Sequence, residues 1–153
     1  MNLSLVSNSS AQTIKIAAGL ASRLRGGEVI ELISDVGGGK TTFVKGLARG
    51  LGYGGLVSSP SFTLNQQYKG IHLTLQHFDF YRLDDAGVMA SQLAESISAP
   101  NSVVVIEWAG IAEAVLPAKR LAIAFRVLSI NRRQLQLKTP AALDYLIKNI
   151  SIT

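Results

Sequence analysis

Apolar residues recur at helical spacing in two segments of the first third of the chain. In residues 11–25 they stand three or four positions apart, and Gly26 and Gly27 mark the end of the predicted helix. A second apolar stripe lies in residues 40–51 and contains Phe43, Val44, Leu47, Ala48 and Leu51. We therefore predict two amphipathic helices, each with one face against a core.

Two other segments are apolar almost throughout, which predicts strands. EVIELI covers residues 28–33, and SVVVIEW covers residues 102–108. Short runs without a polar face are typical of strands that are buried on both faces of a parallel sheet. Residues 2–6 are predicted as a short edge strand.

Two hairpins and two further helices complete the predicted elements. The first hairpin would turn around Lys69-Gly70 and the second near Asn131. The hairpin strands lie in residues 63–70 with 71–81, and 119–128 with 132–138; the helices lie in residues 84–98 and 141–148. Buried strands that alternate with helices predict an α/β three-layer sandwich, and the hairpins make its partly parallel sheet mixed. We expect a single domain over residues 1–153.

The segment between the first buried strand and the second helix has the composition of a phosphate-binding loop. Three consecutive glycines at 37–39 permit the torsions that turn backbone N–H groups inward around an anion. Lys40 would reach the outer phosphates from a helix N-terminus, and the Thr41 hydroxyl would bind magnesium. The predicted ATP-binding residues of the loop are Asp35, Val36, Gly37, Gly38, Gly39, Lys40, Thr41 and Thr42.

One position departs from the phosphate-loop pattern G-x-x-x-x-G-K-[ST]. Ser34 stands where the pattern has its first glycine. If that position requires a torsion that only glycine tolerates, serine costs about 1 kcal/mol or more. If it requires only a small residue, serine costs little. The sequence leaves both readings open.

Two acidic residues are candidates for the metal and the reaction. Glu107 ends the most hydrophobic predicted strand, where it could order or polarise an attacking water. Asp79 lies late in another predicted strand, between aromatic residues, and needs a partner such as magnesium, Arg82 or a backbone donor. The alternative for Glu107 is a surface acid at a strand end, and Asp79 by itself is a weak signal.

Composition and charge narrow the function classes. Hydrophobic residues make up 48% and charged residues 16% of 153 residues, so the chain can build a sizeable core. The absence of cysteine excludes thiolate zinc sites and cysteine nucleophiles. The net charge of +5 suits an anionic partner or ligand, but the basic residues are scattered, so a merely basic surface is an equal alternative. No signal peptide or membrane span is predicted, and we expect a cytoplasmic protein.

Several polar residues have ordinary structural readings. His72 and His77 are five residues apart in one predicted hairpin, on opposite faces of a strand, so no shared metal site is predicted. Arg132 and Arg133 would form an exposed hairpin turn or a patch for an acidic partner. Arg82 would pair with Asp79, lie near phosphate, or be solvated.

Four motifs in a fixed order carry a family resemblance. They are SDVGGGKTTFVKGLARGLG at 34–52, SSPSFTLNQQY at 58–68, HFDFYRL at 77–83 and VIEWAG at 105–110. Together they closely resemble the TsaE (formerly YjeE) family, the bacterial ATPases of threonylcarbamoyladenosine tRNA modification. The resemblance runs from about residue 12 to residue 138 and implies a P-loop NTPase fold.

The resemblance implies roles for the candidate residues. Lys40 corresponds to the phosphate-binding residue and Thr41 to the magnesium-binding residue. Asp79 corresponds to the metal-site aspartate and Glu107 to the catalytic acid. Thr41, Asp79 and Glu107 together would form the metal site. Trp108 is similar to a tryptophan that lies beside the nucleotide.

Four further positions resemble the family less specifically. Thr13 matches a small polar position near the adenine. Ser61 and Thr63 lie in a segment similar to a switch-like loop. Gly38 stands where alanine is common in the family, which glycine should tolerate.

The resemblance also implies partners. Family members act with TsaB and TsaD, which transfer threonylcarbamoyl from its adenylate to adenosine 37 of tRNAs that read codons starting with A. The ATPase would reset that complex between turnovers. It would use ATP and Mg²⁺, meet tRNA only indirectly, and bind neither membrane nor DNA.

Two other functions remain as alternatives. A small P-loop kinase should carry a basic lid, and residues 84–101 contain no arginine or lysine. A nucleotide-binding interaction module is the second alternative. It would bind nucleotide without hydrolysing it, because Ser34 would impair the phosphate loop.

Overall fold

A seven-stranded sheet forms the centre of the structure, a computed structural model that describes residues 1–35, 37–60 and 62–152. Its order is β1-β7-β6-β2-β5-β4-β3. The strands are β1 (Asn2–Ser7), β2 (Val29–Ile33), β3 (Asn65–Lys69), β4 (Thr74–Asp79), β5 (Ser102–Glu107), β6 (Leu121–Val127) and β7 (Arg133–Lys138).

The pairing confirms the predicted mixed, partly parallel sheet. Strand β2 is parallel to both β5 and β6, and β4 is parallel to β5. The two predicted hairpins, β3–β4 and β6–β7, are antiparallel, and β1 pairs antiparallel with β7 at one edge. The predicted edge strand is therefore confirmed as well.

Helices cover the sheet on both faces. The α-helices are α1 (Ser10–Ala21), α2 (Lys40–Gly50) and α3 (Met89–Ser98), and short 3-10 helices span Ala109–Ala112 and Ala141–Leu146. None of the helices in the described part of the chain is long and apolar enough to cross a membrane. Helices α1 and α2 bury their apolar stripes in one core, while α3 packs in a second core on the other face.

Strand β5 joins the two cores, as its unbroken apolar sequence predicts. Val103 and Val105 belong to the core under α1 and α2, and Val104 and Ile106 belong to the core under α3. All four side chains are almost completely buried. Because successive side chains alternate between faces, a strand with helices on both sides has no position for a solvated residue.

Three predicted helices differ from those in the structure: two in where they begin or end, and one in the type of helix. Helix α1 ends at Ala21 rather than near residue 25. After it, the N–H groups of Arg23 and Leu24 bond to the carbonyls three residues earlier, as in a 3-10 turn. Helix α3 begins at Met89 rather than at residue 84, because Gly87 has a φ of +49°. The last predicted helix, 141–148, is a 3-10 helix over Ala141–Leu146.

Helices α1 and α2 lie unusually close together, and glycines on α2 make this possible. A Cβ on Gly46 would lie 2.6 Å from Ala17 Cβ and 2.6 Å from the Ile14 carbonyl oxygen. A Cβ on Gly50 would lie 2.6 Å from Ala21 Cβ. The approach fixes the direction in which α2 leaves the glycine loop, so it also positions the start of α2 at the candidate site.

This close packing predicts opposite effects of one substitution at two glycines. Gly46→Ala should destabilise the protein by about 2 kcal/mol, since the added methyl group meets backbone and must push the helices apart. Gly19→Ala on α1 has nothing within 4 Å of the new methyl group. It should stabilise the protein by about 0.5–1 kcal/mol through helix propensity. Urea unfolding measures both, and a Gly46→Ala protein as stable as the wild type would contradict the packing.

Candidate functional site

Three parallel strands end at the same edge of the sheet and bring the candidate residues together. Strand β2 ends at Ile33 and leads into the glycine loop, while β4 ends at Asp79 and β5 at Glu107. Asp79 and Glu107 are direct partners in the β4–β5 register. The carboxyl ends of parallel strands are the usual location of ligand sites in open α/β sheets.

The glycine loop has the backbone geometry of an anion site. Gly37 and Gly39 have φ values of +83° and +103°, a region that side-chain-bearing residues rarely occupy. Gly39 is the residue immediately before helix α2, so the free N–H groups of the first helical turn face the loop. An opening of about 250 Å³ is lined by residues 37–42 together with Arg133.

Lys40 points from the start of α2 into the loop. Its side chain is mostly buried, and Nζ donates a hydrogen bond of 2.8 Å to the Ser34 carbonyl oxygen. The same ammonium lies 3.8 Å from Glu107 Oε1 and 5.2 Å from the ring centroid of Trp108. The lysine therefore connects the glycine loop with the end of β5.

The Glu107 carboxylate is buried between two donors. Its Oε2 lies 3.0 Å from His77 Nε2, and its Oε1 faces Lys40. His77 is fully buried in β4, and its Nδ1 has no hydrogen-bond partner among the described residues. One carboxylate oxygen is therefore fixed by the histidine, and the other is turned toward the phosphate loop.

Asp79 is buried beside Glu107 and is held by backbone and side-chain donors. The Tyr81 N–H donates to Asp79 Oδ1 at 3.0 Å, and the Ser59 hydroxyl lies 3.5 Å from Oδ2. Within the described residues, no three His, Cys, Asp or Glu side chains cluster as a metal centre. A magnesium ion held by Thr41 and these acids would therefore take phosphate oxygens and waters as further ligands.

The segment after α2 crosses above Asp79 and is anchored by Tyr68. The Tyr68 hydroxyl donates to the Ser58 carbonyl oxygen at 3.0 Å. Burial raises the pKa of Tyr68 above its ordinary value, so the hydroxyl keeps its proton. Thr63 accepts a hydrogen bond from Gln66 Nε2 on the exposed side of this segment.

Trp108 follows Glu107 in a left-handed backbone conformation. Its φ and ψ are +57° and +52°, which are unfavourable for a bulky residue and are found where surrounding structure enforces them. The half-exposed indole packs against Tyr81 with ring centroids 4.9 Å apart. It covers the Lys40 ammonium and forms one side of the site's opening.

Thr13 lies beside the glycine loop. It is buried in α1, where its hydroxyl is 2.7 Å from the Ser7 hydroxyl. With Gly39, Thr42 and Arg133 it lines a small cavity of about 40 Å³. The structure therefore places Thr13 next to the loop.

Ser34 and Gly38 are complementary in volume. Ser34 is not among the residues with a positive φ, so its position does not require glycine torsions. Its side chain occupies the space beside Gly38: a Cβ on Gly38 would lie 2.2 Å from Ser34 Oγ and 2.7 Å from Ser34 Cβ. The two departures from the usual pattern, serine at 34 and glycine at 38, therefore belong together.

The remaining loop residues have simpler environments. Asp35 is exposed, and its carbonyl oxygen accepts bonds from the Gly38 N–H and the Ser34 hydroxyl. Thr41 is exposed at the opening, and Val36 and Ser61 lie outside the described residues. Arg82 lies over the Phe62 ring, 4.5 Å from its centroid.

Two residues of the site were not predicted from the sequence. The sequence predicts no role for His77, yet this residue contacts Glu107. Two signals could have indicated the contact. His77 is two residues from Asp79 on one strand, and that strand pairs with β5. Arg133 was read as an exposed turn or a partner patch, yet it lines the glycine loop. No sequence signal points from the second hairpin to the loop.

Comparisons with known proteins agree with this geometry. The model of the family "Threonylcarbamoyl adenosine biosynthesis protein TsaE" matches residues 7–135. The TsaE protein of Bacillus subtilis is 36% identical over 124 residues, which are 81% of this chain and 77% of that protein. The TsaE protein of Treponema pallidum is 37% identical over 130 residues, 85% of this chain and 96% of that protein.

A solved structure has the same fold. The crystal structure of Bacillus subtilis YdiB superposes with a TM-score of 0.82 at 31% identity, covering 98% of this chain and 94% of the other. The predicted α/β fold of P-loop type is therefore confirmed.

The complementarity of Ser34 and Gly38 predicts a rescue. Gly38→Ala should destabilise the protein by about 1–2 kcal/mol, since rotation of the serine hydroxyl relieves the contact with Oγ but not the contact with Cβ. Ser34→Gly combined with Gly38→Ala should restore stability to within about 0.5 kcal/mol of the wild type. Urea unfolding of both single variants and the double variant measures the coupling; additive effects would disprove it.

Proposed function

The chain belongs to the TsaE family, and from this premise we propose that it is a magnesium-dependent ATPase. It binds ATP over residues 35–42 and releases ADP and phosphate. One observation carries the proposal. Lys40 Nζ lies 3.8 Å from Oε1 of the buried Glu107 carboxylate, beside a glycine loop with the backbone geometry of an anion site.

The phosphates are held by the loop and by Lys40. The N–H groups of the glycine loop and of the first turn of α2 donate to phosphate oxygens. On binding, the Lys40 ammonium exchanges its bond to the Ser34 carbonyl for the outer phosphates. Thr41, with Asp79 and Glu107 nearby, would hold a magnesium ion, which would supply positive charge to the outer phosphates.

Hydrolysis depends on Glu107. Its Oε1 orients the attacking water by accepting a hydrogen bond, while Oε2 stays with His77. The water oxygen bonds to the γ-phosphorus, the bond from that phosphorus to the bridging oxygen breaks, and ADP leaves with the electron pair. One proton of the water stays on the released phosphate, and the other passes to solvent. Trp108 beside Lys40 shields the reacting phosphate from bulk water.

The biological role is the support of threonylcarbamoyladenosine modification at adenosine 37 of tRNAs that read codons starting with A. The names of the relatives place those proteins in tRNA threonylcarbamoyladenosine biosynthesis, which supports this proposal. We propose that the chain, as one domain in the cytoplasm, couples ATP hydrolysis to the TsaB–TsaD complex and meets tRNA only through it. The exposed aromatic side chains of Phe62, Tyr81 and Trp108 offer a contact surface near its opening.

The first test is steady-state phosphate release with magnesium, alone and with TsaB and TsaD of the same organism. The rate should rise with the partners and vanish with EDTA or in Lys40→Ala. Glu107→Gln should lower kcat by about 100-fold or more, since water loses its oriented acceptor. Glu113→Gln is the matched control, because Glu113 is an exposed acid that pairs with Arg120.

Background rates with and without partners would disprove the ATPase. Tight ADP binding without turnover would then favour the interaction module. Transfer of phosphate to an added acceptor, with little release to water, would favour a kinase.

The His77–Glu107 bond predicts a separation of binding from turnover. His77→Leu should lower kcat by about tenfold while the Kd for ADP stays within about twofold of the wild type, because the histidine orients Glu107 and lies away from the loop. His77→Gln, which keeps a donor, should lose less. A Kd that rises together with the loss of kcat would contradict a positioning role.

A further inference from the structure

Arg133 stands at the flank of the glycine loop, although it comes from the distant second hairpin. It is the first residue of β7, and its Cγ and Nε are 3.8 Å from the position that a Cβ on Gly39 would occupy. It lines the same opening as residues 37–42. The arginine stem therefore lies beside the loop at Gly39, at a distance where even an added methyl group would only touch it.

The guanidinium of Arg133 has hydrogen-bond acceptors for one of its nitrogens but not for another. Its Nη1 donates to the carbonyl oxygens of Ser129, Ile130 and Arg132, at 2.8, 3.3 and 3.0 Å. Its Nε is buried and has no acceptor among the described residues. A permanently charged group with a buried donor left unpaired is a costly arrangement in the absence of a ligand.

The surroundings of Arg133 indicate which end of a nucleotide it would meet. It also lines the small cavity that contains Thr13, Thr42 and Gly39, and neither Lys40 nor Thr41 lines that cavity. Lys40 and Thr41 are the residues for the outer phosphates and magnesium. Arg133 therefore lies toward the inner phosphate and the nucleoside.

We infer that Arg133 is a nucleotide-binding residue that holds the α-phosphate of bound ATP or ADP. The inference rests on the proposed nucleotide function and adds a binding residue to it. Nη1 keeps the hairpin turn in place, and Nε with Nη2, at the other edge of the guanidinium, donates charge-assisted hydrogen bonds to the α-phosphate oxygens. The second hairpin is in this way part of the nucleotide site.

The neighbouring arginine is a matched control. Arg132 belongs to the same turn, but its Nε donates to Asn8 Oδ1 at 3.0 Å on the exposed surface. Substitution of either arginine removes one positive charge from the same hairpin. A difference between the two variants therefore reports on position and not on net charge.

The experiment is calorimetric titration of MgATP and MgADP into the full chain. Arg133→Met, which keeps the unbranched stem against Gly39, should raise the Kd of both nucleotides by about tenfold and by the same factor. Arg132→Met should leave both within about twofold of the wild type. The equal effect is expected because ATP and ADP share the α-phosphate.

Salt dependence separates a phosphate contact from a loosened hairpin. Arg133→Met should lower the slope of log Kd against log salt concentration, because one ionic contact is lost. A hairpin that is merely loosened would weaken binding without a change of slope, and that result would overturn the inference. Loss confined to ATP, or an equal loss in Arg132→Met, would overturn it as well.

Failure of the inference and failure of the proposed function have different signatures. If the wild type binds MgADP and Arg133→Met binds it equally well, only the inference is overturned. If a folded wild type binds neither nucleotide, the proposed function and the inference are overturned together.

Discussion

The Glu107 carboxylate is buried at the end of the most apolar strand, and a buried carboxylate is stable only where donors or cations meet it. His77 on β4 and Lys40 at the start of α2 supply these partners. Their positions require β4 parallel to β5 on one side and β2 parallel to β5 on the other. The strand order, the glycine loop and the start of α2 thus converge on one charged group. A change in the register of either neighbouring strand would leave that charge without a partner.

The glycine loop satisfies a second constraint, which is one of volume. The space between the end of β2 and the turn of the loop holds one small side chain, and Ser34 fills it from one side while Gly38 leaves it open from the other. Positive φ values fall on Gly37 and Gly39, not on Ser34. The loop conformation therefore depends on the two outer glycines of the triplet, whereas the first pattern position depends on its neighbour's size. A pattern that scores positions one at a time cannot represent this dependence.

Much of the fold and part of the site follow from the sequence because they rest on local signals. Three patterns each predict the element in which they occur: the unbroken apolar run of β5, the alternating hairpins and the glycine loop. From them the sequence predicts a mixed, partly parallel sheet. Helix ends were predicted less well: α1 stops at Ala21 because local turn bonds replace helical ones, although Leu24 remains buried. His77 and Arg133 were missed because their roles arise from contacts between segments distant in sequence. Such contacts produce no repeating pattern of apolar and polar residues in the sequence.

The site is divided between a rigid centre and an adjustable rim. Glu107, His77 and Lys40 are buried on parallel strands and at a helix start, where close packing allows few alternative positions. Trp108 and Arg133 stand at the rim; the first is exposed in a strained backbone conformation and the second is half-buried on a hairpin turn. Strain at Trp108 persists because the fixed Glu107 precedes it and Tyr81 packs against its ring. A ligand or partner that arrives at the opening would therefore move Trp108 and Arg133 at the rim, while the buried pair of Glu107 and His77 keeps its geometry.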